Sequence, residues 1–411
     1  MKMRTFILIA MLLLLGQVCW GQEIGAPQTG GTRAFSMGGV YTATNRGIDA
    51  LSGNPGGLAL LENAQFLVGG RVLLMGKADL EEDYYKDYYD LKDYSSKFGI
   101  NPKLLNVGIA FPITLSGFSH KLVGAVGYRS FYDLSENEIR EFEDQSDNKY
   151  EETENERGLI NVLSFGVGTT ISEKYSFGLS FNLPLIKGYK YESEQEIKYT
   201  GGTTKYEEEA EYDVSGGSFI QLGGIVQVTP ELSIGASYTM SHKFELEDGK
   251  YTDKEDGDVV DEGDLYDIKY ESPAMYSIGF SYRVAPDFLI SAELQNRPWE
   301  DVEVNGKELS NLESGSSYRF GIEYGSDVLL RAGLIMERAP IIDLDKDGVN
   351  FKGVTGGIGY KSNNIMLDVG GLYVFTSFDG AKVGTKTYDI NFNQLMVFAT
   401  LIYSFEFSID K

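Results

Sequence analysis

The sequence is poor in the residues that most metal centres and nucleophilic sites require. Its 411 residues include 1 Cys and 2 His. So few ligands disfavour a zinc site, and a catalytic Cys is equally disfavoured. Basic residues are scarce relative to acidic ones, with 36 Lys and Arg against 61 Asp and Glu and a net charge of -25. Such a chain repels phosphate backbones, and we expect no binding to nucleic acid.

The sequence also lacks long apolar runs. Beyond the N-terminus no stretch reaches the roughly 18 apolar residues that a membrane helix needs, which excludes a helical-bundle membrane protein. Proline is scarce, at 10 residues, whereas the chain has 49 Gly, 27 Tyr and 23 Phe. Glycine and aromatic residues without helical apolar runs indicate many strands. The length allows two or three domains or one large all-β unit.

The first residues have the pattern of a secretory signal. Two basic residues precede an apolar run of about 11 residues at 6–16, which is too short to span a membrane. Small residues lie three and one positions before Gln22, which predicts cleavage at that point. A lipid-modified Cys19 is the alternative, but Val18 is larger than the residue that such a site requires. We therefore assign 1–21 to a signal peptide.

Beyond residue 63 the chain alternates apolar and small polar residues at the period of a strand. Between Leu232 and Met240, apolar residues at even positions alternate with Ser, Gly and Thr at odd positions. Successive side chains of a strand face opposite sides, so this segment has one apolar face and one small polar face. The same pattern recurs at 175–183, 276–282, 288–295 and 318–324.

Short and long connections alternate between these segments. The short ones fall at 116–119, 172–174, 229–231, 285–287, 325–327 and 362–364. The long polar ones fall at about 77–103, 135–157, 192–213, 248–265, 303–315, 338–352 and 379–387. This alternation is typical of an outer-membrane barrel, which has short periplasmic turns and long outer loops. A soluble β-sandwich or solenoid is the alternative, but it does not explain why the two loop lengths alternate.

The number of segments also favours a barrel. Counting between turns gives about 14 strands, an even number, as single-chain bacterial barrels require. Most segments reach the roughly 9–11 residues that a tilted membrane strand needs. We therefore predict an all-β fold, with a transmembrane antiparallel β-barrel over 64–411. The predicted strands are 64–76, 104–114, 119–134, 157–172, 174–191, 213–228, 231–247, 266–283, 287–302, 315–325, 327–337, 352–361, 364–378 and 388–407.

The segment 22–63 precedes the first predicted strand and has no strand periodicity. It is rich in glycine, and it must lie inside or beneath the barrel or be disordered. Gly30–Ala43 reads GGTRAFSMGGVYTA, and Asn54–Ala59 reads NPGGLA. Both blocks resemble the N-terminal hatch of the FadL/TodX family, whose second block reads NPAGLA. This chain departs from that pattern at Gly56.

A further likeness to the family is the LRAG sequence at 330–333, which is followed by Pro340. The resemblance implies that 22–63 is a hatch that plugs the lumen of the barrel. Simple turn chemistry is the alternative for the hatch glycines, since glycine adopts dihedrals that other residues avoid. Pro55 fixes its own φ and keeps Asn54 extended, so this dipeptide predicts a fixed kink. The hatch residues singled out are Arg33, Ser36, Met37, Gly38, Gly39, Asn54, Pro55 and Gly56.

The resemblance also carries an expected function. Members of the FadL/TodX family are outer-membrane transporters of long-chain fatty acids and hydrophobic compounds. An apolar ligand would bind near the outer surface, diffuse passively through the plugged barrel and leave sideways through a gap in the wall. Without a plug, a barrel of this width would enclose a water-filled pore. Fatty acids, aromatic hydrocarbons and other lipids fit such a path equally well. The alternative function is a shuttle or scaffold subunit of a protein secretion system.

Charged residues on the inward parity of the strands are candidates for ligand contact. Glu323 and Arg331 fall diagonally across the hairpin around Gly325, within reach of each other. One interpretation is an electrostatic network that braces the lumen. The other is that Arg319 or Arg331 meets the carboxylate of an amphipathic ligand, since a guanidinium matches a carboxylate with two hydrogen bonds. The inward charges are Arg71, Glu293, Arg297, Arg319, Glu323, Arg331 and Asp368.

The predicted outer loops are acidic and rich in tyrosine. The segments 79–93 and 207–209 fit a solvated surface, and the alternative is a collar bridged by divalent cations to anionic lipopolysaccharide. A sharper pattern is the D-x-D-x-D-G start of a calcium loop, although Val354 stands where the loop needs its bidentate Glu. We expect no other cofactor. The calcium candidates are Asp343, Asp345 and Asp347.

Enzymatic activity is not expected, and no catalytic residue is assigned. A Ser-His or Asp-His site in a barrel requires a His near the outer rim. His120 falls at a short turn, and His242 lies near an outer end without a Ser or Asp signature beside it. The expected partners are an apolar small molecule and the lipid or lipopolysaccharide of the outer membrane. The chain is expected to act as a monomer.

Overall fold

The computed structural model describes residues 31–80, 91–98, 101–113, 120–133, 136–157, 159–186, 188–199, 202–308, 312–342, 347–383 and 386–406. The expected signal peptide at 1–21 and the start of the expected hatch at 22–30 lie outside these residues. Among the described residues, no helix combines the length and apolar character needed to cross a membrane.

Strands dominate the described chain. In chain order they are β1 (Ala64–Leu80), β2 (Leu91–Phe98), β3 (Asn101–Ile113), β4 (Leu122–Asp133), β5 (Glu136–Asp144), β6 (Lys149–Arg157), β7 (Leu159–Ser172), β8 (Tyr175–Ile186), β9 (Tyr189–Tyr199), β10 (Gly202–Gly216), β11 (Phe219–Gln227), β12 (Leu232–Thr239), β13 (His242–Glu255), β14 (Asp258–Asp264), β15 (Ile268–Ser272), β16 (Met275–Ala285), β17 (Phe288–Arg297), β18 (Glu303–Val304), β19 (Lys307–Glu308), β20 (Gly315–Gly325), β21 (Val328–Ile342), β22 (Gly348–Lys361), β23 (Ile365–Val383) and β24 (Lys386–Phe405).

Fourteen of these strands close into an antiparallel barrel, which confirms the predicted fold. The seam is the pairing of β1 with β24, from Ala64 opposite Phe405 to Leu80 opposite Ile390. Each predicted span overlaps one barrel strand. The barrel strands are β1, β3, β4, β7, β8, β11, β12, β16, β17, β20, β21, β22, β23 and β24.

The barrel wall carries its apolar side chains outward. In the β12–β16 pair, Ile234 lies opposite Phe280, and the two side chains are 43% and 41% exposed. On the other face Ser233 lies opposite Ser281, and both are buried. The exposed apolar side chains of β8, β20 and β23 alternate with buried or small residues in the same way. An apolar exterior around a small polar interior is typical of a barrel that faces lipid.

A second antiparallel sheet stands at the end of the barrel where the long connections leave it. It has ten strands, in the order β19-β18-β15-β13-β10-β9-β6-β5-β2 with β14 on β13. Most of these segments fall in the predicted long connections, and that prediction is wrong because they form paired strands. Their alternation is masked by charge, because their strands present Glu and Lys to water. Their buried face is formed by Tyr189, Tyr191, Ala210, Tyr212, Phe244 and Leu246.

Residues 31–63, the described part of the segment predicted to be a hatch and called the hatch below, lie against the inner face of the barrel. It contains the short helix α1 (Thr32–Ser36) and two 3-10 helices, Gly47–Leu51 and Pro55–Leu60. Helix α1 contacts β21, β22, β23 and β24, whereas the helix at Pro55–Leu60 contacts β7, β8 and β11. A third 3-10 helix, Trp299–Asp301, follows β17. The hatch therefore bridges opposite parts of the wall.

Glycines let the hatch backbone approach the wall closely. Gly38 has a φ of 70°, and a Cβ there would lie 2.5 Å from the carbonyl oxygens of Phe320 and Leu334. Across the contact, a Cβ on Gly178 would overlap the carbonyl oxygen of Pro55. A side chain at any of these positions would push the hatch away from the wall. Wall glycines whose Cβ would overlap the hatch include Gly178, Gly223, Gly235, Gly321, Gly333, Gly357 and Gly370.

Candidate functional site

An ionic cluster joins the hatch to the wall near the turn end, defined as the barrel end where short turns connect the strands. Arg33 of the hatch donates Nε to Glu323 Oε2 at 2.8 Å and Nη2 to Oε1 at 2.9 Å. Arg331 donates Nε to the same Oε2 at 2.7 Å and Nη1 to Asp368 Oδ1 at 2.6 Å. One wall carboxylate therefore holds an arginine of the hatch and an arginine of the wall.

A second cluster lies deeper in the lumen. Glu293 accepts hydrogen bonds from the backbone N–H groups of Tyr41 at 2.8 Å and Thr42 at 2.7 Å. Arg319 donates Nη1 to Glu293 at 3.3 Å and Nη2 to Glu337 at 3.0 Å. Arg297 also donates to Glu337. Buried charges are costly unless they are paired and hydrogen-bonded, and each of these charges has an opposite partner.

The structure brings six of the seven predicted inward charges into these two clusters. Arg71 stands apart: its side chain is buried, and its Nη1 lies 3.7 Å from Met396 Sδ. Glu323 and Arg331 are directly opposite rather than diagonal, because the hairpin pairs Gly325 with Leu329. Glu337 is a further inward charge that was not predicted. It shares the odd parity of Arg331 on β21, so the strand alternation alone indicates that its side chain points inward.

The two predicted ligand arginines already hold carboxylates of the chain. Arg319 contacts Glu293 and Glu337, and Arg331 contacts Glu323 and Asp368. Each side chain is completely buried. A ligand carboxylate would have to displace one of these partners, so the contacts favour the bracing interpretation.

Asp49 lies in the hatch near the first cluster. Its Oδ1 is buried without a hydrogen-bond partner among the described residues. Burial, together with repulsion from Asp368, raises the pKa of Asp49 to about 7 against the opposing effect of Arg33 and Arg331. The hatch therefore holds a carboxyl group that titrates near neutral pH.

The NPGG motif fastens the hatch to the opposite part of the wall. Asn54 donates Nδ2 to the carbonyl oxygens of Thr42 at 2.6 Å and Gly224 at 3.1 Å. Its Oδ1 accepts from Gly56 N at 3.0 Å, which caps the 3-10 helix that begins at Pro55. Asn54 is extended, with a φ of -118° and a ψ of 100°, as a residue before proline prefers. The motif thus links two hatch segments and a barrel strand.

The other hatch candidates have packing roles. Met37 is completely buried, and it packs with Val40 of the hatch and Leu289 of the wall. The Oγ of Ser36 donates to Thr32 O at 2.8 Å within α1. Gly39 has a φ of 79°, a left-handed conformation that favours glycine, and its carbonyl oxygen accepts from Arg319 at 3.3 Å.

A narrow apolar cavity separates the hatch from the wall at β1, β3 and β4. Its volume is about 20 Å³, which is room for one water-sized molecule. The hatch contributes Ile48 and Leu51, and Arg129 closes one side by donating Nη1 to Ser52 O at 3.2 Å. The register of β1 and β3 shifts beside the cavity, between Gly69 and Gly70. The wall is therefore irregular where the hatch leaves a gap.

At the opposite end, an aromatic cluster lies where the second sheet meets the barrel. The rings of Phe131, Phe219 and Phe244 surround His242, with centroids 5.2, 4.8 and 5.3 Å from its ring. Burial, with repulsion from Arg129, lowers the pKa of His242 to about 4. Its Nδ1 lies 3.2 Å from Met240 O, which fits a neutral ring that donates from Nδ1. This residue is therefore buried and uncharged at neutral pH.

The acidic outer segments are partly paired strands. Lys190 of β9 forms ion pairs with Glu192 and Glu209, and a further one with Glu211 at 3.2 Å. These contacts raise the pKa of Lys190 above its ordinary range. Of the tyrosine-rich segment at 79–93, residues 81–90 lie outside the described chain.

The calcium prediction stays untested. Asp343 and Asp345 lie outside the described residues, and Asp347 lies next to β22. Within the described part of the chain, no group of three or more His, Cys, Asp or Glu side chains is arranged to hold a metal ion.

Comparison with solved structures identifies the fold. The toluene transporter TodX of P. putida aligns with a TM-score of 0.63 and 14% identity, covering 93% of this chain and 100% of TodX. A FadL homologue of Pseudomonas aeruginosa aligns with a TM-score of 0.58 and 12% identity, covering 93% and 100%. The toluene transporter TbuX of Ralstonia pickettii gives 0.54 and 15%, covering 92% and 99%. No protein-family model and no curated protein matches the sequence. Taken with the closed barrel and its internal N-terminal segment, these alignments show that the chain has the fold of the FadL/TodX-type transporters.

Proposed function

We propose that the protein is an outer-membrane barrel that takes up hydrophobic compounds. The observation that carries the proposal is the combination of an apolar exterior with an interior occupied by the hatch. An open barrel of this size would conduct water and ions. A barrel whose lumen is filled is not suited to conduct them. Structures that share the fold include a toluene transporter and a monoaromatic hydrocarbon channel, which supports an apolar ligand.

The narrow apolar cavity offers an exit toward lipid. It lies between the 3-10 helix Gly47–Leu51 and the wall at β1, β3 and β4, where the strand register shifts. At about 20 Å³ the cavity is nearly closed, so a ligand must displace hatch side chains to enter it. The side chains of Ile48 and Leu51 can change rotamer, while Asp49 and Arg129 line the same cavity. Movement through the wall is proposed as passive diffusion, and long-chain fatty acids remain within the proposed ligand class.

A substitution that fills the cavity tests this path. A Cβ on Gly127 would lie 2.8 Å from Leu51 Cδ2, so Gly127→Leu would fill the space and press on the flexible end of the Leu51 side chain. We expect uptake of radiolabelled toluene into proteoliposomes to fall about tenfold. The matched control is Gly356→Leu, because Gly356 is exposed and a Cβ there would approach only Arg331 O, at 3.8 Å.

The outcomes separate the proposed path from other functions. Unchanged uptake in Gly127→Leu, with normal folding, would place the exit elsewhere. A wild-type protein that takes up no toluene or fatty acid, but co-purifies with exported proteins, would favour the secretion scaffold. Folding of each variant is checked by its heat-modifiable migration on a gel.

A further inference from the structure

A polar cavity of about 210 Å³ opens between the hatch and the wall at the turn end. The hatch contributes Arg33 and Arg46, and the wall contributes Arg283 at the end of β16 and Glu231 from the turn before β12. This cavity shares no lining residue with the narrow apolar cavity, and it touches the first ionic cluster at Arg33. It is about ten times larger than the apolar cavity.

The arginines around this cavity differ in how far they are neutralised. Arg33 is held by both oxygens of Glu323. Arg46 forms no ion pair or side-chain hydrogen bond within the described part of the chain, and the residue is accessible to solvent although part of its surface is covered. Arg283 donates Nη1 to Pro286 O at 3.0 Å, which satisfies a donor but leaves its charge uncompensated. Arg46 and Arg283 therefore line the cavity with positive charges that no carboxylate of the described residues within hydrogen-bond distance neutralises.

The positive charges of Arg33 and Arg283 affect the ionisation of Arg46. Partial burial, followed by repulsion from Arg33 and Arg283, lowers the pKa of the Arg46 guanidinium. Arg46 and Arg283 line the same cavity, so one anion placed there lies within the field of both guanidinium groups. The backbone of Arg46 is extended and immediately precedes Gly47, where the 3-10 helix begins with a φ of 67°. The hatch backbone therefore places the start of the Arg46 side chain at the cavity.

The charge count favours an anion with a single charge. Arg46 and Arg283 bring two positive charges, and Glu231 brings one negative charge to the rim. Leu289 supplies an apolar side to the lining, whereas Ser233 and Ser281 supply hydroxyl groups. A carboxylate can accept from two guanidinium groups, and a compact apolar body can rest on the leucine.

We propose that this cavity, between Arg46 of the hatch and Arg283 of the wall, binds a monocarboxylate with a small apolar body. The inference does not rest on the proposed uptake function, since the anion would bind whether or not the barrel admits hydrocarbons. It adds a polar site at the turn end of a barrel whose proposed path is otherwise apolar. A compound that carries a ring and one carboxylate fits both the charge and the volume of the cavity.

The test is a fluorine NMR titration of the full-length protein in detergent with 4-fluorobenzoate as the probe. We expect saturable binding that weakens about tenfold or more in Arg46→Gln and in Arg283→Gln, because each loses a charge-assisted hydrogen bond. Glu231→Gln should tighten binding, a gain that misfolding cannot produce. Lys361→Gln is the matched control, because Lys361 is an exposed cation at the same barrel end and outside the cavity lining.

Two competitors define the ligand class. Fluorobenzene, which has the same ring without the charge, should not displace the probe. Inorganic phosphate should displace it only at concentrations at least about tenfold higher than benzoate, because the cavity balances a single charge. Displacement by phosphate as readily as by benzoate would overturn the carboxylate assignment. Absence of saturable binding, or equal affinity in wild type, Arg46→Gln and Arg283→Gln, would overturn the site itself.

Discussion

The two sides of the hatch hold the barrel by different physical means. Toward β17 and β20, the hatch binds through the ion pair of Arg33 with Glu323 and through backbone hydrogen bonds to Glu293. Buried ion pairs within the wall, at Arg319 and Arg331, hold these two carboxylates in place. Toward β1, β3 and β4, it packs through the apolar side chains of Ile48 and Leu51. Ion pairs fix geometry and are costly to break one partner at a time, whereas apolar contacts tolerate small shifts. The ionic side is therefore expected to anchor the hatch, and the apolar side to yield to a ligand.

Removing the hatch should have the largest effect of all the changes considered, because it abolishes both kinds of contact at once. Deletion of residues 30–53 removes both kinds of contact and leaves a lumen that side chains alone cannot fill at this strand number. We expect low ion conductance for the intact protein in planar bilayers and strongly raised conductance for the deleted form. Equal conductance of two well-folded proteins would show that the segment is a tether and not a plug.

Removing one carboxylate from the buried ionic cluster should have the next largest effect, a loss of folding stability. Glu337→Gln leaves Arg297 and Arg319 buried with one carboxylate fewer, and such a loss typically costs about 3–5 kcal/mol. The free energy of unfolding is measured by urea titration in lipid vesicles. Glu152→Gln is the control, because its ion pair with Arg140 is partly exposed and should contribute about 1 kcal/mol or less. Similar losses in both variants would contradict the anchoring role of the buried cluster.

Truncating the apolar side tests the complementary prediction. Leu58 is completely buried against the wall, so Leu58→Ala should lower the free energy of unfolding by about 2–4 kcal/mol. Unlike Glu337→Gln, it should speed toluene uptake, because it enlarges the apolar space between hatch and wall without releasing a charge. Slower uptake in Leu58→Ala would mean that the apolar side also serves as an anchor.

A smaller, pH-dependent effect is expected at the junction of barrel and second sheet. His242 has a pKa of about 4 when folded and about 6.5 when unfolded, so the unfolded state binds more protons between these values. Stability from this residue is complete above pH 6.5 and should be lost as pH falls toward 4, by up to about 3 kcal/mol. Urea titrations at pH 7 and 4.5 should show this loss in wild type.

The control for the pH effect is the other histidine of the chain. His242→Asn should reduce the difference between the two pH values, whereas His120→Asn should leave it unchanged, because His120 is exposed at a short turn. An identical pH dependence in wild type and His242→Asn would assign the effect to carboxylates elsewhere.

The sequence predicts the wall well because lipid and lumen impose opposite demands on alternate residues. The segment from Leu232 shows this clearly, since its apolar positions face outward and its serines face inward. The second sheet is not predicted in the same way, because its strands carry charged residues on the face that contacts water. Lys190 with its three glutamates resembles a solvated loop in the sequence and a paired strand in the structure.

The candidate site is only partly predictable for a different reason. Parity identifies which charges point inward, but their partners depend on where the hatch lies. Arg33 and Glu323 are 290 residues apart in the chain, and no local pattern joins them. The cavity at Arg46 likewise exists only because a hatch turn meets the end of β16. Long-range packing of an irregular segment is the part of the fold that periodicity does not encode.

The close approach at Gly178 has a consequence for how this protein can vary. A side chain there would overlap the carbonyl oxygen of Pro55, and one at Gly235 would overlap that of Thr42. Each wall glycine therefore constrains a hatch residue far away in the chain, and neither can change freely alone. Related sequences should show correlated substitutions at these pairs: a larger residue in the wall accompanied by a shortened or shifted hatch. Such correlations in related sequences would reflect the direct contact between hatch and wall that this structure shows.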